Sequence, residues 1–185
     1  ELIPIGTFVS VAEKFEKIVE LDKSVTEKVI EHIEAQHIDY AIAVNLSTRT
    51  IKNSDFRAWL ATTLQQHHAI SAQLAFSISA YAAAKEVKVF KEFIKFIHGH
   101  GAKVILKRFD SQSMSLETAK ILKPDYIRLA RDVGNGVSRE PGKQAFVETM
   151  KEVGDLLDIT ILAENIQADE DFALIKTIGI TGTSR

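Results

Sequence analysis

The apolar positions change period repeatedly along the chain. Over 8–20 they recur at helical spacing, with Val11, Phe15, Ile18 and Val19 on one face. Residues 22–36 repeat the pattern with Val25, Val29 and Ile33, behind Asp22 as an N-cap. Short unbroken apolar runs then appear at 40–47 (YAIAVNLS), 73–79 (QLAFSIS), 103–109 (KVILKRF), 125–130 (DYIRLA) and 159–165 (ITILAEN). Each suits a buried strand and is too short for a helix. Amphipathic helical segments lie between them: 54–66, opened by Ser54 or Asp55; 85–101, stopped by glycines; 115–122; 142–158; and 169–179, ending at Gly179.

This alternation predicts an α/β fold with parallel strands and crossover helices. The strands are apolar throughout, the pattern of strands covered on both faces. An open doubly wound sheet and a (β/α)-barrel both fit. No G-x-G-x-x-G follows a strand, which weakens the dinucleotide-binding form of the open sheet. With ITGTS near the end as a sixth strand, the count is about two short of a closed eight-stranded barrel.

Composition narrows the classes. The chain has 185 residues, enough for a single domain over 1–185, and its net charge of −2 gives no general pull toward nucleic acid polymers or anionic membranes. It has no cysteine, which excludes disulfides, thiolate metal sites and a Cys nucleophile. No apolar run approaches the ~20 residues of a membrane span. It opens at ELIPIG without a Met, which reads as a piece of a longer protein.

In either architecture the working residues sit at the carboxyl ends of the strands. Those ends carry Asn45, Ser79, Lys107 with Arg108, Arg128 and Glu164. Polar groups at the exits of apolar strands form a site signal, but one that names no reaction. The adjacent pair Lys107-Arg108 is the oddest member, two cations where a core strand stops. HGHG (98–101) reads as a glycine-stopped helix end, HH (67–68) as exposed loop, and VGNGVS (133–138) as a flexible turn.

The order of motifs is more specific. IPIGTFVSVAEKF (3–15), AVNLSTRTIKNSDFRAWL (43–60), LAFSISAYA (74–82), HGAKVILKRFDSQSMSL (100–116), LKPDYIRLARDV (122–133) and ITILAENIQADEDFALIKTIGI (159–180) follow one another with the spacing of one family. The chain resembles the EAL domain, the (β/α)-barrel phosphodiesterase module for cyclic di-GMP in bacteria. The resemblance implies a TIM-like barrel, incomplete at its N-terminus because the family's Glu-Ala-Leu triplet lies upstream of Glu1.

The resemblance also implies a two-metal site, in which divalent cations held by oxygen ligands bind the phosphate and activate water. Asn45 matches the family's ligand Asn, and Glu164 the first Glu of its A-E-G-V-E motif. The other positions depart from the pattern. The Glu closing E-I-T-E is Ala80, the Asp-Asp pair is Lys107-Arg108, the Lys of K-I-D is Arg128, its Asp is Ala130, and the second Glu of A-E-G-V-E is Gln167. These changes imply no bound metal or other cofactor and no catalytic residues.

Simpler roles stand beside these. Asn45 can cap a loop. Lys107 and Arg108 can be a solvated strand end, partners for Glu164, or a grip on phosphate. Glu164 is expected within salt-bridge reach of Lys107 or Arg108, with Arg128 as a further partner. Asn45, Lys107, Arg108, Arg128 and Glu164 would contact a nucleotide if one binds. The implied function is a non-catalytic regulatory module acting on a protein partner or as a homodimer, with a non-hydrolysing cyclic di-GMP receptor as the alternative and an active phosphodiesterase behind both. The implied location is cytoplasmic, in a parent protein that can be anchored to the inner membrane.

Overall fold

A computed structural model describes residues 4–180 and 182–184. The chain divides into two units, Glu1–Ile78 with Lys95–Lys103, and Ser79–Ile94 with Val104–Arg185. Among the described residues no helix is long and apolar enough to cross a membrane.

In the first unit, α1 (Ile5–Lys14) and α2 (Ile18–Gln36) are separated where Glu16 takes a left-handed φ of 58°. The second helix therefore starts four residues before Asp22, and the expected N-cap is wrong. Asp22 is a buried residue on α2 whose carboxylate serves another helix. Its Oδ2 accepts the Ser47 N–H at 2.8 Å and the Thr50 hydroxyl at 2.6 Å. A buried carboxylate must be repaid with donors, and the start of α3 (Thr48–Lys52) supplies them.

Strand β1 (Ile42–Asn45) lies parallel to β2 (Leu74–Ser79), with Ile42 opposite Leu74 and Asn45 opposite Ser77. Only β2 is buried nearly throughout; β1 leaves Ala43 and Asn45 exposed. Helix α4 (Ser54–Gln66) is capped by Asn53, whose Oδ1 accepts the Phe56 N–H at 2.7 Å, so neither Ser54 nor Asp55 is the cap. Phe56, Leu60 and Leu64 line its buried face. His67, at the end of α4, is half-buried and lies 2.6 Å from a Glu34 carboxylate oxygen.

The expected helix over 85–101 is α6 (Val87–Gly99), and an unexpected short helix, α5 (Ala80–Lys85), precedes it. The α5 segment is too short for periodicity to reveal, and its signal is a serine cap: the Ser79 side chain accepts the Ala82 N–H at 3.4 Å. The glycine stop of α6 holds, with Gly101 at a φ of 77°.

The second unit carries β3 (Lys103–Phe109), β4 (Tyr126–Leu129), β5 (Thr160–Ala163) and β6 (Gly182–Thr183), each parallel to the next. The expected last strand reduces to Gly182–Thr183, and Thr181 lies outside the described residues. The connections are α7 (Leu116–Leu122), α8 (Arg131–Gly134) with α9 (Pro141–Leu157), and α10 (Asp169–Ile178). Leu106, Phe109, Ile127, Leu129, Ile161, Val147, Met150 and Ile175 build this core. Helix α9 approaches β5 closely: a Cβ on Gly154 would lie 2.6 Å from the Ile159 carbonyl oxygen.

Candidate functional site

The exits of β3, β4 and β5 bring most of the candidate residues together within the second unit. On β3 the register breaks. Leu106 faces Ile127 and Phe109 faces Leu129, so Lys107 and Arg108 together stand beside Arg128 alone. This is a β-bulge, with Arg108 in the left-handed region at a φ of 57°. Leu106 and Phe109 are buried, Lys107 is half-buried and Arg108 exposed. A regular strand sends adjacent side chains to opposite faces; the bulge removes that constraint from the cationic pair.

Arg128, on β4 opposite Leu162 of β5, donates from Nη1 to Oε2 of Glu164 at 2.7 Å. The two side chains are 20% and 30% exposed, so the pair is largely withdrawn from water. Arg131 opens α8 and sets its Nε 3.6 Å from Oε1 of the same carboxylate. The partners of Glu164 among the described residues are thus Arg128 and Arg131, and neither Lys107 nor Arg108 is among them. The expected pairing with the β3 cations is corrected. The reason is strand order: β4 lies between β3 and β5, and two strand spacings put the backbones roughly 9–10 Å apart.

The remaining candidate positions are placed as follows. Ala80 is fully buried at the start of α5. Ala130 is buried, its N–H donating to the Phe109 carbonyl at 2.8 Å. Gln167 is exposed, and its N–H donates to Oδ1 of Asn135 at 3.0 Å. Asn45 belongs to the first unit, exposed at the end of β1. Among the described residues no three His, Asp or Glu side chains are grouped to hold a metal.

Arg131, Asn135 and Asp171 were not legible as site residues. Asn135 Nδ2 donates to the carbonyls of Arg131, at 2.8 Å, and Asn165, at 2.9 Å. Asp171, 3% exposed in the first turn of α10, accepts the N–H groups of Gly136 at 2.7 Å and Ser138 at 2.8 Å. The glycines of VGNGVS therefore sit in a clamped segment, which corrects the flexible turn. Burial pushes the Asp171 carboxyl up, but hydrogen bonds from Ser138 and Gly136 and the charge of Arg139 outweigh it and hold the group below its ordinary value. An Asp in a first helical turn looks like ordinary dipole complement, so the sequence held no cue to this role.

Asn165 supplies another marker. It takes a φ of 59°, a left-handed conformation that glycine and asparagine tolerate best, directly after Glu164.

Comparison with known proteins places this arrangement. The sequence model of the EAL domain matches residues 1–183. The chain belongs to the EAL domain family. Among curated relatives it is 25% identical over 186 residues to the cyclic di-GMP phosphodiesterase PdeR of Escherichia coli, covering 97% of this chain and 28% of that protein. It is 20% identical over 171 residues to the cyclic di-GMP phosphodiesterase PdeA of Borreliella burgdorferi, covering 91% of this chain and 26% of that protein. This EAL chain thus spans about a quarter of the length of either relative. The solved PaMucR phosphodiesterase, a c-di-GMP complex, matches with a TM-score of 0.90 at 20% identity, over 98% of this chain and 81% of that one. That likeness settles the fold between the two expected architectures. It is the EAL type of TIM-like barrel, here with six strands described against the eight of a closed barrel.

Proposed function

We propose that this EAL domain is a catalytically inactive regulatory module of bacterial cyclic di-GMP signalling, working in the cytoplasm through a protein partner or self-association. Glu164 carries this reading. It is the carboxylate left in the motif set, and both its oxygens face guanidinium groups, Arg128 at 2.7 Å and Arg131 at 3.6 Å.

Hard divalent cations need several oxygen ligands. Where the family's motifs offer carboxylates, this chain has Ala80, Lys107, Arg108 and Ala130. A like charge ~4 Å from a cation costs roughly 4 kcal/mol per unit pair at an effective dielectric of about 20. The residues present do not fit a two-metal centre.

A non-hydrolysing cyclic di-GMP receptor is the second reading. The cations at the ends of β3 and β4 favour it, because guanidinium groups suit phosphate, and so does the c-di-GMP complex of the PaMucR structure.

Incubation with cyclic di-GMP and Mg²⁺ or Mn²⁺, with chromatography for the linear dinucleotide, tests inactivity. No product above a no-protein control is expected. Turnover that survives repurification and disappears in Glu164→Ala would overturn it. Calorimetric titration of cyclic di-GMP without metal separates the two inactive readings: no heat favours the partner module, and saturable binding lost in Arg128→Ala favours the receptor.

A further inference from the structure

Asn135 and Gly136 stand between α8 and α9, in the VGNGVS motif that the proposed function leaves without a role. Asn-Gly is the dipeptide in which a side-chain amide is most readily lost. The Gly136 nitrogen attacks Cγ of Asn135, the Cγ–Nδ2 bond breaks, and Nδ2 leaves as ammonia with the proton of the Gly136 N–H. Water then opens the succinimide ring, at Cγ to give Asp or at the main-chain carbonyl to give isoaspartate. Glycine favours ring closure because no side chain crowds its nitrogen and its backbone turns freely.

The fold holds both reacting groups away from this step. Ring closure needs the 135–136 peptide to rotate toward the Asn135 side chain, but the Asn135 backbone is extended, with a ψ of 127°. Asp171 fixes that peptide by accepting the N–H groups of Gly136 at 2.7 Å and Ser138 at 2.8 Å. The Asn135 amide is engaged at both ends. Its Nδ2 donates to the carbonyls of Arg131 and Asn165, and its Oδ1 accepts the Gln167 N–H.

These contacts also make the amide a latch. One nitrogen bridges Arg131, at the start of α8, and Asn165, the neighbour of Glu164. A carboxylate at position 135 has no proton to donate, and it sets negative charge against two carbonyl oxygens. Isoaspartate adds a methylene to the main chain as well, which takes the Gly136 and Ser138 N–H groups out of register with Asp171.

We infer that Asn135 is a deamidation site sheltered by Asp171, and that its conversion to a carboxylate unlatches the segment after Glu164 from α8. The shelter and the latch are one hydrogen-bond network, so whatever pulls the α8–α9 loop off Asp171 exposes the site to the reaction.

The test incubates wild type and Asp171→Asn in mildly alkaline buffer, folded and in urea. Peptide mass spectrometry reads conversion at Asn135, and circular dichroism reads folding. Unfolded wild type is expected to react at least tenfold faster than folded wild type, with folded Asp171→Asn between them. Equal rates in folded and unfolded wild type, or a folded Asp171→Asn as slow as wild type, would overturn the shelter. Should Asp171→Asn not fold, Asp171→Glu takes its place under the same criteria. Asn135→Asp tests the latch by amide hydrogen exchange. Exchange at Gln167 is expected to rise at least tenfold while the strand amides of β4 keep their wild-type rates. An unchanged Gln167, or an equal rise in β4, refutes the latch.

Discussion

Arg128 and Glu164 meet across neighbouring strands, Nη1 to Oε2 at 2.7 Å, where the family's motifs place a lysine and a metal-ligand carboxylate. The contact joins the end of β4 to the segment after β5, so its energy reports on the folded arrangement of the strand exits.

A double-mutant cycle with Arg128→Gln and Glu164→Gln should give a coupling of about 1–2 kcal/mol, between the exposed-pair and charged-hydrogen-bond ranges. Urea denaturation in low salt measures it, and added salt should shrink it. Arg131→Gln should cost about 0.5 kcal/mol or less, as an exposed, longer contact. A coupling near zero would mean the pair is solvated.

Asp171 predicts a pH dependence. Its folded-state carboxyl is held below its ordinary value, so its stabilisation is present above the unfolded value and is lost as pH falls through the folded value. Asp171→Ala should cost roughly 1.5–3 kcal/mol for each charged hydrogen bond removed at neutral pH, and less in acid. Chemical denaturation at pH 7 and pH 3 compares the two. An equal loss at both would show that packing, not charge, is what Asp171 supplies.

Arg108 sits at a φ of 57° with its side chain exposed. Left-handed backbone costs a non-glycine residue about 1–2 kcal/mol, so Arg108→Gly should raise stability by up to about 1 kcal/mol. Thermal melting checks the sign. A destabilised variant would show that the arginine side chain makes a contact worth more than the strain.

Gly154 reports on α9 against β5. A methyl there meets the Ile159 carbonyl oxygen at 2.6 Å and Ile161 Cγ1 at 2.8 Å. Gly154→Ala should therefore destabilise by about 1–3 kcal/mol, despite alanine's better helix propensity, and a neutral result in urea would place the helix farther from the strand.

Divalent metal should not stabilise the chain. Mn²⁺ at millimolar concentration is expected to leave the melting temperature unchanged. A rise of several degrees that needs Glu164 would mean that main chain or other ligands complete a metal site.

The sequence by itself determined the alternation of strands and helices, because apolar period is a local property read within each segment. It also determined the family, because the motifs follow one another in order at the exits of those strands. The reading of Ala80, Lys107, Arg108 and Ala130 as departures from the family's pattern rests on the same order of motifs. Short helices such as α3, α5 and α8 were not legible, since four to six residues carry too little periodicity. Only the tertiary structure decided who pairs with whom. It placed β4 between β3 and β5, which gave Glu164 to Arg128 and Arg131 and not to the cations of β3. It also turned Asp22 and Asp171 from apparent helix-start residues into buried acceptors for distant backbone N–H groups. A carboxylate's partner is fixed by the distance between segments far apart in the chain, and no spacing along the sequence encodes that distance directly.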